Sequence, residues 1–402
     1  MMPILSVAMP THNRARYAIH AIRSLLDIRD EGLEVVVTDT SPEPELQRLL
    51  SEQGWLSDRR LRYVRPIERL DMTGNHNAAL GLASGEYVCL IGDDDTISPD
   101  ALVAARWAAA HDIEVIAPNV VANYVWPDFR SRWFGNRHSS RVYFAREMGA
   151  ATVHRADGAL GQALRGAVQG TDGLPKIYHG LVRRSLMEAV RERSGAFFHG
   201  SSPDVSGAVG LAICAERFLV VDYPLTIPGA SGGSNTGRSA LNQHKGKLEA
   251  EDQTKGFREK GWSPGVPRFF SVETVWAHAA LETLSRMLPE AVPRYGFVRL
   301  IALCRLRHAE YRAEIDAAAA EAATLQGTSL ADFQSQVARD LRQVRLQELA
   351  RVAKRLLRPT AAGGRTYVDG LETVAAAPQQ VSAHLKKRGA SWDQTVARVA
   401  AS

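Results

Sequence analysis

The chain has 402 residues, a length that predicts two or three packed units rather than a single core. Its 45% hydrophobic and 23% charged residues are typical of soluble globular proteins and exclude a disordered or fibrous chain. The formal net charge of +5 arises at the carboxyl end, because twelve Lys or Arg stand against six Asp or Glu from residue 331 onward.

The amino terminus and the cysteines indicate the compartment. The segment "MMPILSVAMP" leads directly into a strand-like run without the basic start and cleavage site of a signal peptide, and no apolar run reaches about 18 residues. Cys89, Cys214 and Cys304 are far apart in apolar surroundings, which predicts buried thiols rather than disulfides or a zinc site. We therefore expect a cytoplasmic protein, with peripheral contact to the inner membrane face through the basic carboxyl-terminal region left open.

The first part of the chain alternates strands and helices. Short apolar or β-branched runs predict strands at "ILSVAMP", "LEVVVTDTS", "LRYVRP" and "EYVCLIG". Helical spacing predicts helices between them, at "RARYAIHAIRSLLD", residues 44–54 and "GNHNAALGLASG". This alternation indicates right-handed crossovers and an α/β fold with a mostly parallel central sheet.

Three polar segments follow these strands: "THNR" at 11–14, "TDTS" at 38–41 and the triplet Asp93 to Asp95. The carboxyl ends of parallel strands meet at one edge of a sheet, and ligands bind in the crevice beyond that edge. We therefore expect the three segments to face one crevice.

The pattern changes further along the chain. A strand at "IEVIAPNVV" and the block 174–230 predict a second half of the same domain, whereas residues 229–264 are rich in Gly, Ser and Asn and predict a mobile loop. From 267 onward the spacing is helical, and Leu341, Leu349, Val352 and Leu356 share a helical face that predicts packing against a helix or a membrane surface. We expect four parts: residues 1–115, 116–230, 231–266 and 267–402.

Three adjacent carboxylates need a counter-charge. Asp93, Asp94 and Asp95 cannot all be ionised and unpaired in a crevice, because like charges a few ångströms apart repel strongly. A bound Mg²⁺ or Mn²⁺ would remove the conflict, since hard cations take carboxylate oxygens. The alternative is a solvated acidic turn before a helix that begins near Pro99. The position after a buried strand of an α/β sheet favours the metal.

Other signals leave alternatives open. The chain lacks both G-x-G-x-x-G after the first strand and G-x-x-x-x-G-K-[ST], which argues against a dinucleotide oxidoreductase and a P-loop hydrolase. Asp39 is suited to accept a hydrogen bond from a base or ribose, or it forms an Asx-type turn before Pro42. Asn75 and Asn77 lie in a helical segment where Ala forms helix better, which hints at a further role.

The segments "SVAMPTHNRARYAIHAIRSLL", "VVVTDTS" and "TGNHNAALGLASGEYVCLIGDDDTISPDAL" together resemble the nucleotide-sugar-binding half of bacterial family-2 glycosyltransferases with the GT-A fold. The resemblance covers about the first 115 residues, and "GLPKIYHGLVRRSLM" and "GSSPDVSGAVGLA" resemble the acceptor half more loosely. It implies a GT-A nucleotide-sugar-binding domain followed by a carboxyl-terminal helical region. It also implies a nucleotide-sugar donor, a divalent metal cofactor (Mn²⁺ or Mg²⁺) and a glycan or lipid-linked acceptor.

The resemblance also implies site residues. Those that border the donor are Pro10, Thr11, Asn13, Arg14, Asp39, Asn77 and Asp93. Asp94 matches a metal ligand, with Asp93 and Asp95 as further ligands. One position departs from the family pattern: members read D-x-D-D where this chain has Gly92 before the triplet. Asp93 must then replace the missing carboxylate, or the use of the metal is altered.

Inverting sugar transfer needs a base that takes the proton of the acceptor hydroxyl. Asp204 in "SSPDVSG" stands where relatives place their catalytic Asp, although the same tripeptide at residues 98–100 predicts only a helix start. His199 is the alternative base or an acceptor contact. Tyr178 and His179 are candidates for the acceptor pocket.

The resemblance therefore implies an inverting, metal-assisted hexosyl- or related transferase of polysaccharide biosynthesis. It would move a sugar from a nucleotide diphosphate donor, a UDP-sugar first, to a glycan or lipid-linked hydroxyl. Two alternatives remain: a nucleotide-sugar-binding subunit without turnover, which the Gly92 departure keeps open, and a metal-dependent phosphoryl-transfer enzyme. No nucleic-acid partner is expected, and a homo-oligomer is left open.

Overall fold

A mostly parallel sheet forms the centre of the amino-terminal half of the protein. The computed structural model describes residues 2–68, 70–234, 237–238, 241, 245–250, 254, 257, 261–356, 362–397 and 399. The strands of this sheet are β1 (Leu5–Thr11), β2 (Leu33–Asp39), β3 (Leu61–Val64), β4 (Tyr87–Leu90), β6 (Val115–Pro118), β9 (Ala151–Arg155), β10 (Leu181–Arg183) and β11 (Arg217–Val221). Their order is β3-β2-β1-β4-β10-β6-β11-β9, and only β9 and β10 run antiparallel to their neighbours. The α/β fold predicted from the sequence is confirmed.

Helices cover both faces of the sheet, which explains why β1 and β2 are buried along almost their whole length. These helices are α1 (Ala15–Leu26), α2 (Glu45–Glu52), α3 (Met72–Leu82), α4 (Asp100–Ala110), α5 (Ala156–Arg165), α6 (Arg184–Ser194) and α7 (Pro203–Cys214). Alternate residues of β1 face opposite layers: Val7 packs in the cluster of α1 and α4, and Ala8 packs in that of α3, α6 and α7.

The sheet directions bring several strand ends to one edge. β1 runs parallel to β2 with Thr11 opposite Asp39, and it also runs parallel to β4. Because β10 is antiparallel to both β4 and β6, these two strands run in the same direction. The carboxyl ends of β1, β2, β4 and β6 therefore lie at the same edge.

A helical region follows, and it has its own core. It consists of α8 (Val272–Met287), α9 (Phe297–Arg307), α10 (Arg312–Leu325) and α11 (Leu330–Leu356). At the start of α8, the hydroxyl of Ser271 accepts a hydrogen bond from the backbone N–H of Thr274. Leu164 of α5 and Val205 of α7 belong to the same hydrophobic cluster, so the helical region packs against the second half of the sheet domain.

Within the predicted carboxyl-terminal region 267–402, residues 366–396 return to the first core. β16 (Thr366–Val368) pairs with β8 (Arg141–Phe144) in a second sheet of order β13-β7-β8-β16, with β7 at Ala122–Val125 and β13 at Gly229–Ala230. Two further helices, α12 (Ala377–Arg388) and α13 (Trp392–Val396), pack against the first core. The rings of Trp107 and Trp392 are 5.6 Å apart.

The remaining strands are short pairs that fasten loops. β5 (Thr96–Ile97) pairs with β12 (Thr226–Ile227), and β14 (Lys245–Gly246) pairs with β15 (Phe270–Ser271). Short 3-10 helices lie at Trp55–Ser57, Leu248–Ala250, Pro289–Arg294, Ala309–Tyr311 and Val374–Ala376. Much of the mobile loop predicted at 229–264 lies outside the described residues, but its first residues are part of a strand.

The apolar face predicted near the end of α11 is only partly buried. Val344 is buried on the same helix, whereas the side chains of Leu349 and Val352 are 65% and 53% exposed. The prediction that these two residues pack against a helix is wrong within the described part of the chain. Among the described residues, no helix is long and apolar enough to cross a membrane.

Candidate functional site

Arg14 connects two of the polar segments at the carboxyl edge of the sheet. It lies in the turn after β1, and its Nε donates a hydrogen bond to Oδ1 of Asp93, just beyond β4, over 2.5 Å. Its Nη2 lies 3.0 Å from Oδ2 of Asp94. Thr11, the last residue of β1, donates to the other oxygen of Asp93 at 2.7 Å. The strand ends therefore form one buried polar cluster, as expected from the sequence.

Asp94 also binds a segment far away in the sequence. Its Oδ2 accepts hydrogen bonds from the hydroxyl and the backbone N–H of Ser231, at 2.6 and 3.2 Å. The indole N–H of Trp126 donates to the backbone carbonyl of Asp94. Burial, followed by the charge of Asp95, raises the pKa of the Asp94 carboxyl to about 7. The start of the predicted mobile loop is thus attached to the triplet.

Asp95 is turned into the protein. Its Oδ1 accepts from the backbone N–H of Gly229. Its Oδ2 accepts from the N–H of Gly92 and from the hydroxyl of Tyr178, and lies 3.2 Å from Nε2 of His179. Burial alone would raise the pKa of Asp95, but His179 and the two backbone N–H groups lower it. Tyr178 and His179, predicted as acceptor contacts, therefore hold the triplet in this structure.

The structure gives a reason for Gly92. A Cβ atom at this position would lie 2.7 Å from the hydroxyl oxygen of Tyr178 and 2.9 Å from Oδ2 of Asp95. Neither distance is compatible with ordinary van der Waals contact. The hydrogen bond between Tyr178 and Asp95 thus occupies the space that a side chain at 92 would need.

The fit of a divalent metal to the triplet can be judged from these contacts. Both oxygens of Asp93 and of Asp95 accept hydrogen bonds from protein groups, and Oδ2 of Asp94 does so as well. The guanidinium of Arg14 supplies the counter-charge that the sequence analysis assigned to Mn²⁺ or Mg²⁺. In the described part of the chain, no group of three His, Cys, Asp or Glu side chains is placed to hold a metal ion. A divalent metal therefore does not fit the triplet in this arrangement.

The end of β2 carries Asp39 and, beside it, Asn75. Oδ1 of Asp39 accepts from the backbone N–H of Ser41, and Oδ2 accepts from the hydroxyl of Tyr63 at 2.8 Å. This is the Asx-type turn that the sequence left open as an alternative. The amide of Asn75 donates to the backbone carbonyl of Thr11 at 3.1 Å, while its Oδ1 is buried without a partner among the described residues.

Asn77, predicted as a donor contact, is used within the protein. Its Oδ1 accepts from the backbone N–H groups of Phe197 and Phe198, both at 3.0 Å. Its Nδ2 donates to the carbonyls of Thr73 and Phe198. Asn77 therefore ties α3 to the loop that leads to Asp204.

Asp204 lies in the first turn of α7 and is half-buried. The hydroxyl of Ser202 donates to its Oδ1, and no described residue donates to Oδ2. Burial raises the pKa of Tyr178 well above its usual value, and the charges of Asp95, Asp94 and Asp204 add to this effect. The charge of Asp204 is thus one of those that act on Tyr178, the residue that donates to Asp95.

Asp100, in the other Ser-Pro-Asp sequence, has a similar local setting. Asp100 also lies in the first turn of a helix, α4, but its Oδ2 accepts a hydrogen bond from Tyr223. His199, the alternative base, is held through its backbone N–H by the hydroxyl of Ser206, and burial lowers the pKa of its imidazole to about 4. Asp100 and Asp204 therefore each accept one side-chain hydrogen bond on one carboxylate oxygen, from Tyr223 and Ser202 respectively.

The remaining predicted residues lie at the end of β1. Pro10 is part of the strand, and Asn13 adopts a left-handed backbone with φ of 56°. The N–H of Asn13 donates to the hydroxyl of Ser41 at 2.8 Å. The sequence analysis missed Ser231 and Trp126, for which the only signal was the small-residue run that begins at Gly229.

A known sequence family matches the amino-terminal part of the chain. The sequence model of glycosyl transferase family 2 matches residues 6–163. WcaA of Escherichia coli (strain K12), named as a colanic acid biosynthesis glycosyl transferase, is 36% identical over 103 residues, which are 25% of this chain and 36% of that protein. The Campylobacter jejuni GalNAc(5)-diNAcBac-PP-undecaprenol beta-1,3-glucosyltransferase is 32% identical over 101 residues, or 25% of this chain and 33% of that protein.

The chain thus matches about a third of the length of these relatives. Among solved structures, Staphylococcus aureus TarS 1–349 in complex with UDP-GlcNAc is 18% identical, with a TM-score of 0.42 over 81% of this chain and 92% of that one. The family match includes the strands from β1 to β9, whereas the helical region lies outside it. Residues 6–163 of the chain therefore match glycosyl transferase family 2, and the family comparison covers this part alone.

Proposed function

We propose that the protein is an inverting glycosyltransferase. It moves a sugar from a nucleotide diphosphate donor, a UDP-sugar in the first instance, to a hydroxyl of a glycan or lipid-linked acceptor. The observation that carries the proposal is the contact of Arg14 with Asp93 and Asp94, because it joins the residues after β1 and β4 at the edge where α/β sheets bind ligands. The family-2 domain supports the same reaction.

The donor binds in residues 1–115 and the acceptor in residues 116–230. The nucleoside lies against the ends of β1 and β2, near Thr11, Asn13 and Asp39. Support comes from Asn75, whose buried Oδ1 has no partner among the described residues and is suited to accept a hydrogen bond from a base or ribose. The contact of Asn75 with Thr11 fixes the orientation of this amide.

Asp204 acts as the general base. Its Oδ2 takes the proton of the acceptor hydroxyl while the hydroxyl oxygen forms a bond to the anomeric carbon of the donor. The bond between that carbon and the diphosphate oxygen breaks at the same time, and its electron pair leaves with the diphosphate. A single displacement of this kind inverts the configuration.

The guanidinium of Arg14 stabilises the negative charge that develops on the leaving diphosphate. Arg14 is held at the crevice by Asp93 and Asp94, so its guanidinium needs little reorganisation when negative charge develops on the diphosphate. The Mn²⁺ or Mg²⁺ that the family resemblance implies does not fit the triplet as it is arranged here. No step of the proposed reaction depends on a metal ion.

One observation favours a second candidate function. The carboxylates of the triplet are satisfied by protein groups, which is also what a nucleotide-sugar-binding protein without turnover would show. Release of the nucleoside diphosphate separates the two candidates. A binder would bind UDP-sugars without releasing UDP in the presence of any acceptor.

The experiment is a screen of nucleotide sugars, first by thermal shift and then by UDP release with glycan and lipid-linked acceptors. Each assay is run with Mn²⁺ and with EDTA. We expect at least one UDP-sugar to raise the melting temperature and to release UDP when an acceptor is added, in EDTA as well. Binding and release that occur only with Mn²⁺ would show that the triplet rearranges around a metal.

Membrane contact belongs to the same proposal because the acceptor includes lipid-linked glycans. Leu346 and Leu349 of α11 are 67% and 65% exposed, and the exposed Arg342 and Arg345 lie beside them. We expect the protein to sediment with vesicles of anionic lipid and to remain in solution with neutral ones. Equal behaviour with both vesicle types would remove membrane contact from the proposal.

A further inference from the structure

A second cavity lies at the same edge of the sheet, in the acceptor half. It has a volume of about 310 Å³ and opens beyond the carboxyl ends of β6 and β11. Its polar lining consists of Asn119, Thr152, His154, Lys176 and Asp222. The volume is at the lower end of small-ligand sites, which fits a ligand about as large as one sugar.

Lys176 is the unusual member of this lining. Its side chain is buried, with 7% of the residue exposed. No residue in the described part of the chain forms a hydrogen bond or an ion pair with its ammonium group. Burial lowers the pKa of Lys176, and the charge of Asp172 opposes that effect only in part. A buried cation without a direct ion-pair partner is costly, and the nearby charge of Asp172 offsets that cost only in part, which favours a further counter-charge from a ligand.

The larger cleft of the molecule provides a contrast. That cleft, of about 450 Å³, lies between α8, α9 and α11 and contains Arg299 and Arg307. Arg299 pairs with Asp340, and Arg307 pairs with both Glu273 and Glu348. Its cations are therefore neutralised from within, whereas Lys176 is not.

The other groups of the small cavity also favour an anion. Thr152 offers a hydroxyl donor, and His154 offers an imidazole. Asp222, the one carboxylate among the lining residues, accepts a hydrogen bond from Asn119 at 2.7 Å. Thr152, His154 and Lys176 can each donate a hydrogen bond into the cavity, and donors beside a buried ammonium are the usual environment of a bound oxyanion.

The cavity is close to the proposed catalytic crevice. β4 and β6 run in the same direction, so their carboxyl ends open at the same edge. Lys176 precedes Tyr178 by two residues, and Tyr178 donates to Asp95. Two trans peptide units span at most about 7 Å between Cα atoms, roughly the length of one sugar ring with its substituents. A sugar bound at Lys176 would reach the crevice.

We propose that Lys176 anchors a binding site for an oxyanion, a phosphate or a carboxylate group, carried by a sugar-sized ligand. That this ligand is part of the acceptor rests on the proposed glycosyltransferase function, whereas the anion site itself does not. The acceptor would then be an anionic glycan or a glycan phosphate, with its charged group at Lys176 and its hydroxyl toward Asp204.

The test uses isothermal titration of the full chain, without donor, with inorganic phosphate, glucose 1-phosphate, glucuronate and uncharged glucose. We expect saturable binding of at least one anion and none of glucose. Lys176→Met should weaken that binding at least about tenfold, because it removes a charge-assisted hydrogen bond. Comparing the affinities for the phosphate compounds and for glucuronate shows whether the site prefers a phosphate or a carboxylate group. Absence of binding by every anion, or binding by Lys176→Met equal to the native chain, would overturn the proposal.

Two controls keep this test independent of folding and of the proposed reaction. Lys387→Met makes the same change at an exposed lysine of α12 and should leave anion binding unchanged. Thr152→Tyr narrows the exposed mouth of the cavity on β9 and should weaken anion binding even if Lys176→Met does not fold. UDP binding is measured on the same samples. If the native chain does not bind UDP, the proposed donor site is contradicted. If the native chain binds UDP but no anion, only the Lys176 site is contradicted.

Discussion

The Nε of Arg14 donates to Oδ1 of Asp93 over 2.5 Å, and the two residues are 79 positions apart in the sequence. Both side chains are largely buried, with 18% and 7% of their surface exposed. The contact fixes the turn after β1 against the triplet after β4. It also places the positive charge of the Arg14 guanidinium beside the carboxylates of Asp93 and Asp94.

Arg14→Gln should destabilise the protein. The change leaves Asp93 and Asp94 buried without their counter-charge, and we expect the free energy of unfolding at pH 7.5 to fall by about 3 kcal/mol. Urea denaturation followed by circular dichroism measures it. Arg16→Gln is the matched control, because the side chain of Arg16 is 68% exposed, and it should have almost no effect. Equal losses in both variants would mean that the Arg14 ion pairs do not stabilise the fold.

Gly92→Ala tests whether Tyr178 prevents a side chain at position 92. The new methyl group would lie 2.7 Å from the Tyr178 hydroxyl, and we expect the free energy of unfolding to fall by about 2 kcal/mol. In the Tyr178→Phe background the hydroxyl is absent, so Gly92→Ala should cost at least about 1 kcal/mol less. A double-mutant cycle measures this coupling. Additive effects would show that the hydroxyl is not the obstacle.

Substitutions of Asn75 and Asn77 should have different effects, the first on UDP affinity and the second on the stability of the fold. Asn75→Ala removes the buried Oδ1 that has no partner among the described residues, and we expect UDP affinity to fall about tenfold. Asn77→Ala removes hydrogen bonds to the loop at 197–198, and it should lower the free energy of unfolding by about 2 kcal/mol while changing UDP affinity little. Titration calorimetry and urea denaturation give the two quantities. The reverse pattern would restore Asn77 as the donor contact expected from the sequence.

Glu273 should give the helical region a pH-dependent contribution. Burial opposes its ionisation, but hydrogen bonds from His308 and Arg307 lower its pKa to about 2. The folded-state pKa is below the unfolded one, so this stabilisation is present above pH 4.5 and is lost as the pH falls toward 2. Glu273→Gln should therefore cost about 3 kcal/mol at pH 7, and the difference should shrink at pH 4 and again at pH 3.

The control for this prediction is Glu310→Gln, which removes an exposed partner of Lys245. It should change the free energy of unfolding little at any of these pH values. A difference between native chain and Glu273→Gln that stays constant from pH 7 to pH 3 would contradict the lowered pKa.

The sequence predicted the sheet because its strands are marked locally. The β-branched run of β2 and the apolar run of β4 identify buried strands, and the polar residues after them identify the crevice edge. The insertion of β10 between β4 and β6, and the return of β16 and α13 to the first core, have no such mark. Pairing between distant segments depends on complementary surfaces, which periodicity within one segment does not encode.

The site was predicted less completely than the fold. Asp93, Asp94 and Asp95 were expected at the crevice, but the counter-charge was assigned to a metal because Arg14 is so distant in the sequence. Ser231 is even further away, 137 positions from Asp94. Short sequence motifs identify the polar side chains that lie at the end of each strand. Which of them pair with each other is decided by the three-dimensional packing.

The most direct test of the central claim compares Asp204 with Asp100, each of which is the last residue of a Ser-Pro-Asp sequence. Asp204→Asn and Asp100→Asn are measured for UDP binding by calorimetry and for UDP release in the presence of acceptor. We expect Asp204→Asn to bind UDP like the native chain and to lose UDP release by 10²-fold or more, roughly the contribution of a general base. Asp100→Asn should keep both. UDP release by Asp204→Asn at the native rate would contradict the account.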